Sequence, residues 1–160
     1  MSQLHPTFSK PINKTFKNNI KTLRVFALSM LVLLLINFIY DKTQLYFATP
    51  LAINPIDNEN LVYKIVVGCL VAPILETFFF QVLPNIVLTN LKIRNDFLLI
   101  GLPAFFFGLD HYYNILYLLC AFFAGIIFNY LYITGKRNAN NAFFYVFFLH
   151  CIYNCYAYLL

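Results

Sequence analysis

Four residues with the chemistry of a hydrolytic site lie inside or at the ends of apolar stretches: Glu76, His111, His150 and Asn154. Glu76 belongs to the segment VAPILETFFFQVLP, where its neighbours are mainly aliphatic and aromatic. A carboxylate buried in an apolar environment without a partner is costly, so a chain that retains one generally uses it. These four residues are therefore the candidates for a functional site.

The residue types indicate hydrolysis of a carbonyl substrate. A carboxylate and an imidazole in a low-dielectric cavity can take a proton from water and make it a nucleophile. A second imidazole with a carboxamide can donate hydrogen bonds to the developing oxyanion. Zinc bound by Glu76, His111 and His150 is the alternative, but these residues include no local ligand pair such as His-x-x-x-His. We favour water activated by Glu76 without a metal, and helix-bridging hydrogen bonds are the non-catalytic interpretation.

Helical spacing groups these side chains. His150 and Asn154 are four residues apart, which places them about 40° apart around a helix and one turn above each other. Both can therefore point into one cavity. Phe107 and His111 have the same spacing, so the phenyl ring is expected to pack beneath the imidazole.

A second polar pair accompanies Glu76. Thr77 and Gln81 are also four residues apart, on a helix face about 100° from Glu76. We expect them to hydrogen-bond to each other or to the backbone and so to orient the helix.

The composition excludes an ordinary soluble domain. Of the 160 residues, 61% are hydrophobic and only 11% are charged, against about 25% charged in typical globular proteins. The four cysteines all lie in apolar segments, which favours packed thiols over disulfides. The chain is expected to be embedded in lipid.

The pattern predicts one all-α membrane domain over residues 25–160, after a basic, flexible or interfacial segment at residues 1–24. The first apolar span is interpreted as a retained helix, since no small-residue cleavage site follows it as after a signal peptide. The second is longer than the roughly 20 residues that span a bilayer and should tilt or break near Pro84. The five expected spans are 25–40, 61–91, 97–111, 112–133 and 142–160.

The distribution of basic residues predicts the orientation. With the N-terminus in the cytoplasm, nine of the eleven basic residues fall on the inner side, as the positive-inside rule requires. We therefore expect a multi-pass cell-membrane protein that contacts anionic lipid, and not a nucleic-acid-binding protein. The nine residues are Lys10, Lys14, Lys17, Lys21, Arg24, Lys92, Arg94, Lys136 and Arg137.

Three motifs arrive in order on separate apolar segments. They are PxxExxxxQ at residues 73–81, FxxxH at 107–111 and HxxxN at 150–154. This arrangement resembles the CPBP family of intramembrane proteases, also called the Abi or type II CAAX-protease family. The usual signature of that family is EExxxR, FxxxH and HxxxN or HxxxD, and the similarity covers roughly residues 65–156.

The resemblance implies a role for each matching residue. Glu76 would activate water together with His111, while His150 and Asn154 would stabilise the oxyanion. The chain departs from the family pattern at two positions, with Thr77 for the second Glu and Gln81 for the Arg. An acid and a base are thus both replaced by neutral residues, which leaves no unpaired charge but puts the orientation of Glu76 in doubt.

The resulting hypothesis is an intramembrane endopeptidase acting on a membrane-associated peptide or protein. The resemblance implies a role in bacteriocin processing or self-immunity, to which compact bacterial members of the family are linked, and the short loops favour that setting. One alternative is a catalytically inactive membrane immunity or binding protein on the same scaffold. Another is a small proton-coupled transporter, although no internal repeat supports it. The sequence does not indicate an oligomeric state.

Overall fold

The protein is helical throughout the part of the chain that the structure, a computed structural model, describes. The described residues are 10–47, 56, 58–112, 114–139 and 141–159. Five helices confirm the predicted all-α fold. They are α1 (Lys10–Phe47), α2 (Leu61–Asn90), α3 (Asp96–Asp110), α4 (Ile115–Asn138) and α5 (Ala142–Leu159).

The helix lengths and composition identify a membrane protein. Three segments are long and apolar enough to cross a bilayer: Lys17–Tyr46 within α1, the whole of α2 and the whole of α4. Helix α5 is apolar but shorter, and α3 has 15 residues. Of the five predicted spans, three therefore have full spanning length. Helix α1 also includes residues 10–24, which the sequence suggested were flexible or interfacial.

Helix α4 is the centre of the bundle. It packs against α1, α3 and α5, and it also contacts the middle of α2. The largest fully buried hydrophobic side chains at these contacts are aliphatic or aromatic and fill the helical core closely. They are Leu33, Phe128, Leu131, Val146 and Leu149.

Small residues let α3 and α4 approach closely. A Cβ atom added at Gly125 of α4 would lie 3.0 Å from the Cα of Ala104 on α3. A Cβ added at Gly108 of α3 would lie 2.9 Å from the Cβ of Phe122 on α4. Glycine and alanine at such crossings are typical of helix pairs in membranes. This contact places the end of α3, and therefore His111, against the beginning of α4.

Gly125→Ala is expected to lower the free energy of unfolding by about 1–3 kcal/mol, because the added methyl group meets backbone that cannot rotate away. Gly101→Ala is the matched control, since nothing lies within 4 Å of a Cβ added there. Thermal unfolding in detergent measures both variants. Equal midpoints for the two variants would contradict the close approach of α3 and α4.

Helix α2 contains two π-helical segments, Lys64–Val71 and Phe78–Val82, each just before a proline. A proline ring clashes with the carbonyl four residues earlier, and proline lacks an N–H. The wider π turns accommodate Pro73 and Pro84 within one helix. Helix α2 therefore does not break near Pro84, contrary to one of the two outcomes that the sequence allowed.

Hydrogen bonds join the end of α4, which carries Lys136 and Arg137, to α2 and to the start of α3. Arg137 near the end of α4 donates two hydrogen bonds to Asp96 at the start of α3, at 2.9 and 2.5 Å. These bonds hold the pKa of the Asp96 carboxyl below its usual value. Lys136 Nζ donates to Asn85 Oδ1 on α2 at 2.6 Å. The loops between α2 and α3 and between α4 and α5 thus lie at the same end of the bundle.

Candidate active site

The four predicted site residues line one cavity. It has a volume of about 110 Å³ and lies between α2, α3, α4 and α5. Glu76 comes from α2, His111 from the end of α3, and His150 and Asn154 from α5. Three sequence-distant segments therefore meet at one place, as their burial in apolar surroundings demands.

Glu76 lies beside His150. Its Oε2 atom is 3.3 Å from His150 Nε2 and lacks the alignment of a hydrogen bond. Contacts of this kind commonly tighten only when substrate is bound. Phe128 stacks on the His150 ring with centroids 4.4 Å apart, and Phe107 meets it edge-on at 5.9 Å. The imidazole is thereby held in place next to the carboxylate.

His111 is oriented by the end of α3. Its Nδ1 atom is 2.8 Å from the carbonyl oxygen of Phe107, and its backbone N–H bonds to Gly108. A carbonyl only accepts, so Nδ1 carries the hydrogen, and Nε2 of the neutral ring is an acceptor. The Phe107 and His111 rings lie 4.6 Å apart, which confirms the predicted packing of the phenyl ring against the imidazole.

Asn154 is held by a carbonyl group that the π turn leaves without a backbone partner. Its Nδ2 atom donates to Gly68 O at 2.9 Å. The Ala72 N–H, which would bond this carbonyl in an α-helix, bonds instead to Val67 O. Pro73, the π-helical donor position, has no N–H. One amide hydrogen of Asn154 therefore joins α5 to α2, and the second remains for other partners in the cavity.

Thr77 and Gln81 do not form the predicted hydrogen bonds. Both side chains are fully buried, and Thr77 Oγ1 and both amide atoms of Gln81 have no hydrogen-bond partner among the described residues. The prediction assumed α-helical phase, whereas the π segment Phe78–Val82 begins directly after Thr77. Thr77, which directly follows Glu76, and Gln81, five residues after Glu76, are thus buried without fixing its position through each other.

Glu76 also lines a groove on the outside of the bundle. The groove has a volume of about 560 Å³, and its wall is mostly apolar apart from Glu76 and Asp110. Glu76 therefore lies between the inner cavity and this apolar surface. The other lining residues are Leu75, Phe79, Phe80, Pro84, Phe106 and Asp110.

No zinc site is assembled among the described residues. Within the described part of the chain, no group of three or more His, Cys, Asp or Glu side chains has an arrangement that could hold a metal ion. A catalytic zinc needs three protein ligands that converge on one point. Glu76, His111 and His150 share a cavity without meeting that requirement. Activation of water without a metal stays a prediction.

Several lining residues were missed from the sequence. A signal existed for Tyr158, because it follows His150 and Asn154 at successive intervals of four and so shares their helix face. The others have no such polar partner in sequence and resemble ordinary aromatic or thiol packing. They are Tyr117, Cys120 and Tyr153.

Comparison with known proteins identifies one family. The family model described as type II CAAX prenyl endopeptidase Rce1-like matches residues 58–156. The matched region contains all four candidate catalytic residues and extends over more than half of the chain. No curated protein and no solved structure matches the chain.

Proposed function

Because the chain belongs to the Rce1-like family of type II CAAX prenyl endopeptidases, we propose that it is an intramembrane endopeptidase. Its substrate is a peptide or protein associated with the membrane. The observation that carries the proposal is the 3.3 Å contact between Glu76 Oε2 and His150 Nε2 in a cavity shared with His111 and Asn154. A carboxylate placed beside imidazole groups has the geometry of a general base.

The reaction begins with a water molecule in the cavity. Glu76 takes one proton from this water, and His111 Nε2 accepts a hydrogen bond from the water's second hydrogen. The resulting hydroxide attacks the carbonyl carbon of the substrate. When the C–N bond breaks, the proton held by Glu76 passes to the leaving amine.

The other two residues, His150 and Asn154, orient the Glu76 carboxylate and stabilise the oxyanion. When this 3.3 Å contact tightens on substrate binding, the Nε2–H tautomer of His150 can donate to the Glu76 carboxylate and keep it directed at the water. The second amide hydrogen of Asn154 is available to the oxyanion. The resemblance assigned oxyanion stabilisation to both residues, whereas the 3.3 Å contact favours an orienting role for His150.

The apolar groove supports a membrane-bound substrate. An extended apolar peptide segment can lie against Phe79, Phe80 and Phe106 and bring a peptide bond to Glu76 from the lipid side. Glu76 is the one ionisable residue that lines both the groove and the cavity among the described residues. Water and substrate can therefore approach the same carboxylate from different directions.

A catalytically inactive immunity or binding protein is the second candidate. The observation that favours it is the pair of buried side chains at Thr77 and Gln81, which do not hold Glu76 in place. A bacteriocin-processing or self-immunity setting is compatible with either candidate and rests on the family resemblance alone. A proton-coupled transporter is the third candidate, since buried carboxylate and imidazole groups can also relay protons.

Incubation with membrane peptides tests the proposal. Purified protein in lipid nanodiscs is mixed with synthetic peptides that carry one apolar segment, and mass spectrometry records the products. We expect fragment pairs whose masses sum to the substrate plus one water. Binding of a peptide without any such pair, at full occupancy and over long incubation, would favour the inactive binding protein.

A further inference from the structure

The described residues that line the cavity all lie in one half of the bundle. On α2 it reaches no further than Glu76, near the helix midpoint, and on α3 it involves only the end, at Phe107 and His111. Ile56, which precedes α2, also lines it. The cavity-lining residues of α4 lie toward the start of that helix, and those of α5 lie toward its end. They are Tyr117, Cys120, Ala121, Ala124 and Phe128 from α4, and His150, Tyr153, Asn154 and Tyr158 from α5.

The basic residues of the loops lie at the opposite end. Lys92 and Arg94 follow α2, while Lys136 and Arg137 end α4. The Arg137–Asp96 and Lys136–Asn85 contacts confirm that these helix ends are neighbours in space.

Packed core separates the cavity from the basic end. Leu131 and Val146 have no solvent exposure, and Leu149 has none either. These side chains belong to the central contacts of α4 with α1 and α5. Water from the basic end therefore has to cross a layer of side chains that have no solvent exposure, the polar Thr77 and Gln81 included. Ile56 and Tyr158 line the other end of the cavity.

We propose that the active-site cavity opens toward the extracytoplasmic face of the membrane. Basic residues concentrate on the cytoplasmic side of membrane proteins, which assigns the end with Lys92, Arg94, Lys136 and Arg137 to the cytoplasm. The inference builds on the proposed peptidase function and narrows its substrate class. The substrate is a peptide whose scissile bond lies between the middle of the bilayer and its outer surface.

Native Cys120 provides the test, since it lines the cavity and is half-buried. A single-cysteine variant carries Cys69→Ala, Cys151→Ala and Cys155→Ala. Intact cells and inverted membrane vesicles are treated with a small, charged, membrane-impermeant methanethiosulfonate reagent, and labelling is read by mass spectrometry. A membrane-permeant maleimide gives the total reactive thiol. If the triple variant does not fold, peptide mapping of the labelled wild-type protein reads Cys120 directly.

Two further single-cysteine variants show which end of the bundle each treatment labels. Ile56→Cys and Arg137→Cys, each in a chain whose four native cysteines are replaced by alanine, mark the cavity end and the basic end. We expect Ile56→Cys and Cys120 to react in intact cells, and Arg137→Cys to react only in inverted vesicles.

Each other result overturns the proposal. Labelling of Cys120 only in inverted vesicles shows a cavity open to the cytoplasm, and labelling from neither face shows a cavity closed to both. Labelling of Arg137→Cys in intact cells shows that the basic end lies outside the cell and that the protein has the opposite orientation. Adding Glu76→Gln to the single-cysteine variant leaves the expected pattern unchanged, so a failure of the peptidase function remains distinguishable from a failure of this inference.

Discussion

Glu76→Gln is expected to lower the rate of peptide hydrolysis by roughly 10²–10⁴-fold, the range that a positioned general base contributes. Glutamine keeps the shape of the side chain but cannot take a proton from water. The amount of folded protein should change little, because the substitution removes a charge from an apolar environment. Initial rates and thermal unfolding midpoints of the purified variant measure the two effects.

Asp110→Asn is the matched control for this charge removal. Asp110 lines the same apolar groove as Glu76 but does not line the inner cavity. The control variant should therefore keep activity within a few-fold of the wild type on uncharged peptides. Equal losses in the two variants would show that charge in the groove, and not proton transfer at Glu76, accounts for the effect.

Asn154→Ala is expected to affect both stability and activity. It leaves the Gly68 carbonyl without its donor, which costs about 1–3 kcal/mol for a buried group. It also removes a donor from the cavity, and loss of one oxyanion donor lowers the rate by roughly 10²–10³-fold. Thermal unfolding and initial rates, measured on the same preparation, check the two effects.

Asn129→Ala controls for the loss of a buried amide. Asn129 Nδ2 also donates to a glycine carbonyl, Gly125 O, at 2.9 Å, but within its own α-helix. That carbonyl keeps its ordinary helical donor when the side chain is removed. Asn129→Ala should therefore destabilise less and leave hydrolysis largely intact. A smaller loss of stability in Asn154→Ala than in Asn129→Ala would contradict the role of Asn154 in joining α5 to α2.

Much of the candidate site was predictable because its residues are conspicuous in an apolar chain. Glu76, His111 and His150 stand out against their neighbours, and the interval of four predicted correctly that Phe107 packs on His111. Helical periodicity is a local property, so it carries this information without knowledge of the tertiary fold.

The contacts made across the bundle were not predictable in the same way. The partner of Asn154 is a backbone carbonyl, and Gly68 offers it only because a π turn precedes Pro73. Nothing in the local sequence distinguishes a proline that breaks a helix from one that a π turn accommodates. The π segment that begins after Thr77 also explains why the predicted hydrogen bond between Thr77 and Gln81 does not form. The pairing of Glu76 with His150 depends on how α2 and α5 pack, which spacing along the chain does not determine.

Hydrolysis in water enriched in ¹⁸O tests the central claim most directly. Wild-type protein and Glu76→Gln, each in nanodiscs with a chelator present, are incubated with a membrane peptide cleaved by the wild type, and fragment masses are recorded. We predict one ¹⁸O atom in the new carboxyl group of the wild-type product and no product above background from Glu76→Gln. Undiminished cleavage by Glu76→Gln, or no cleavage of any membrane peptide by the wild type, would contradict a water molecule activated by Glu76.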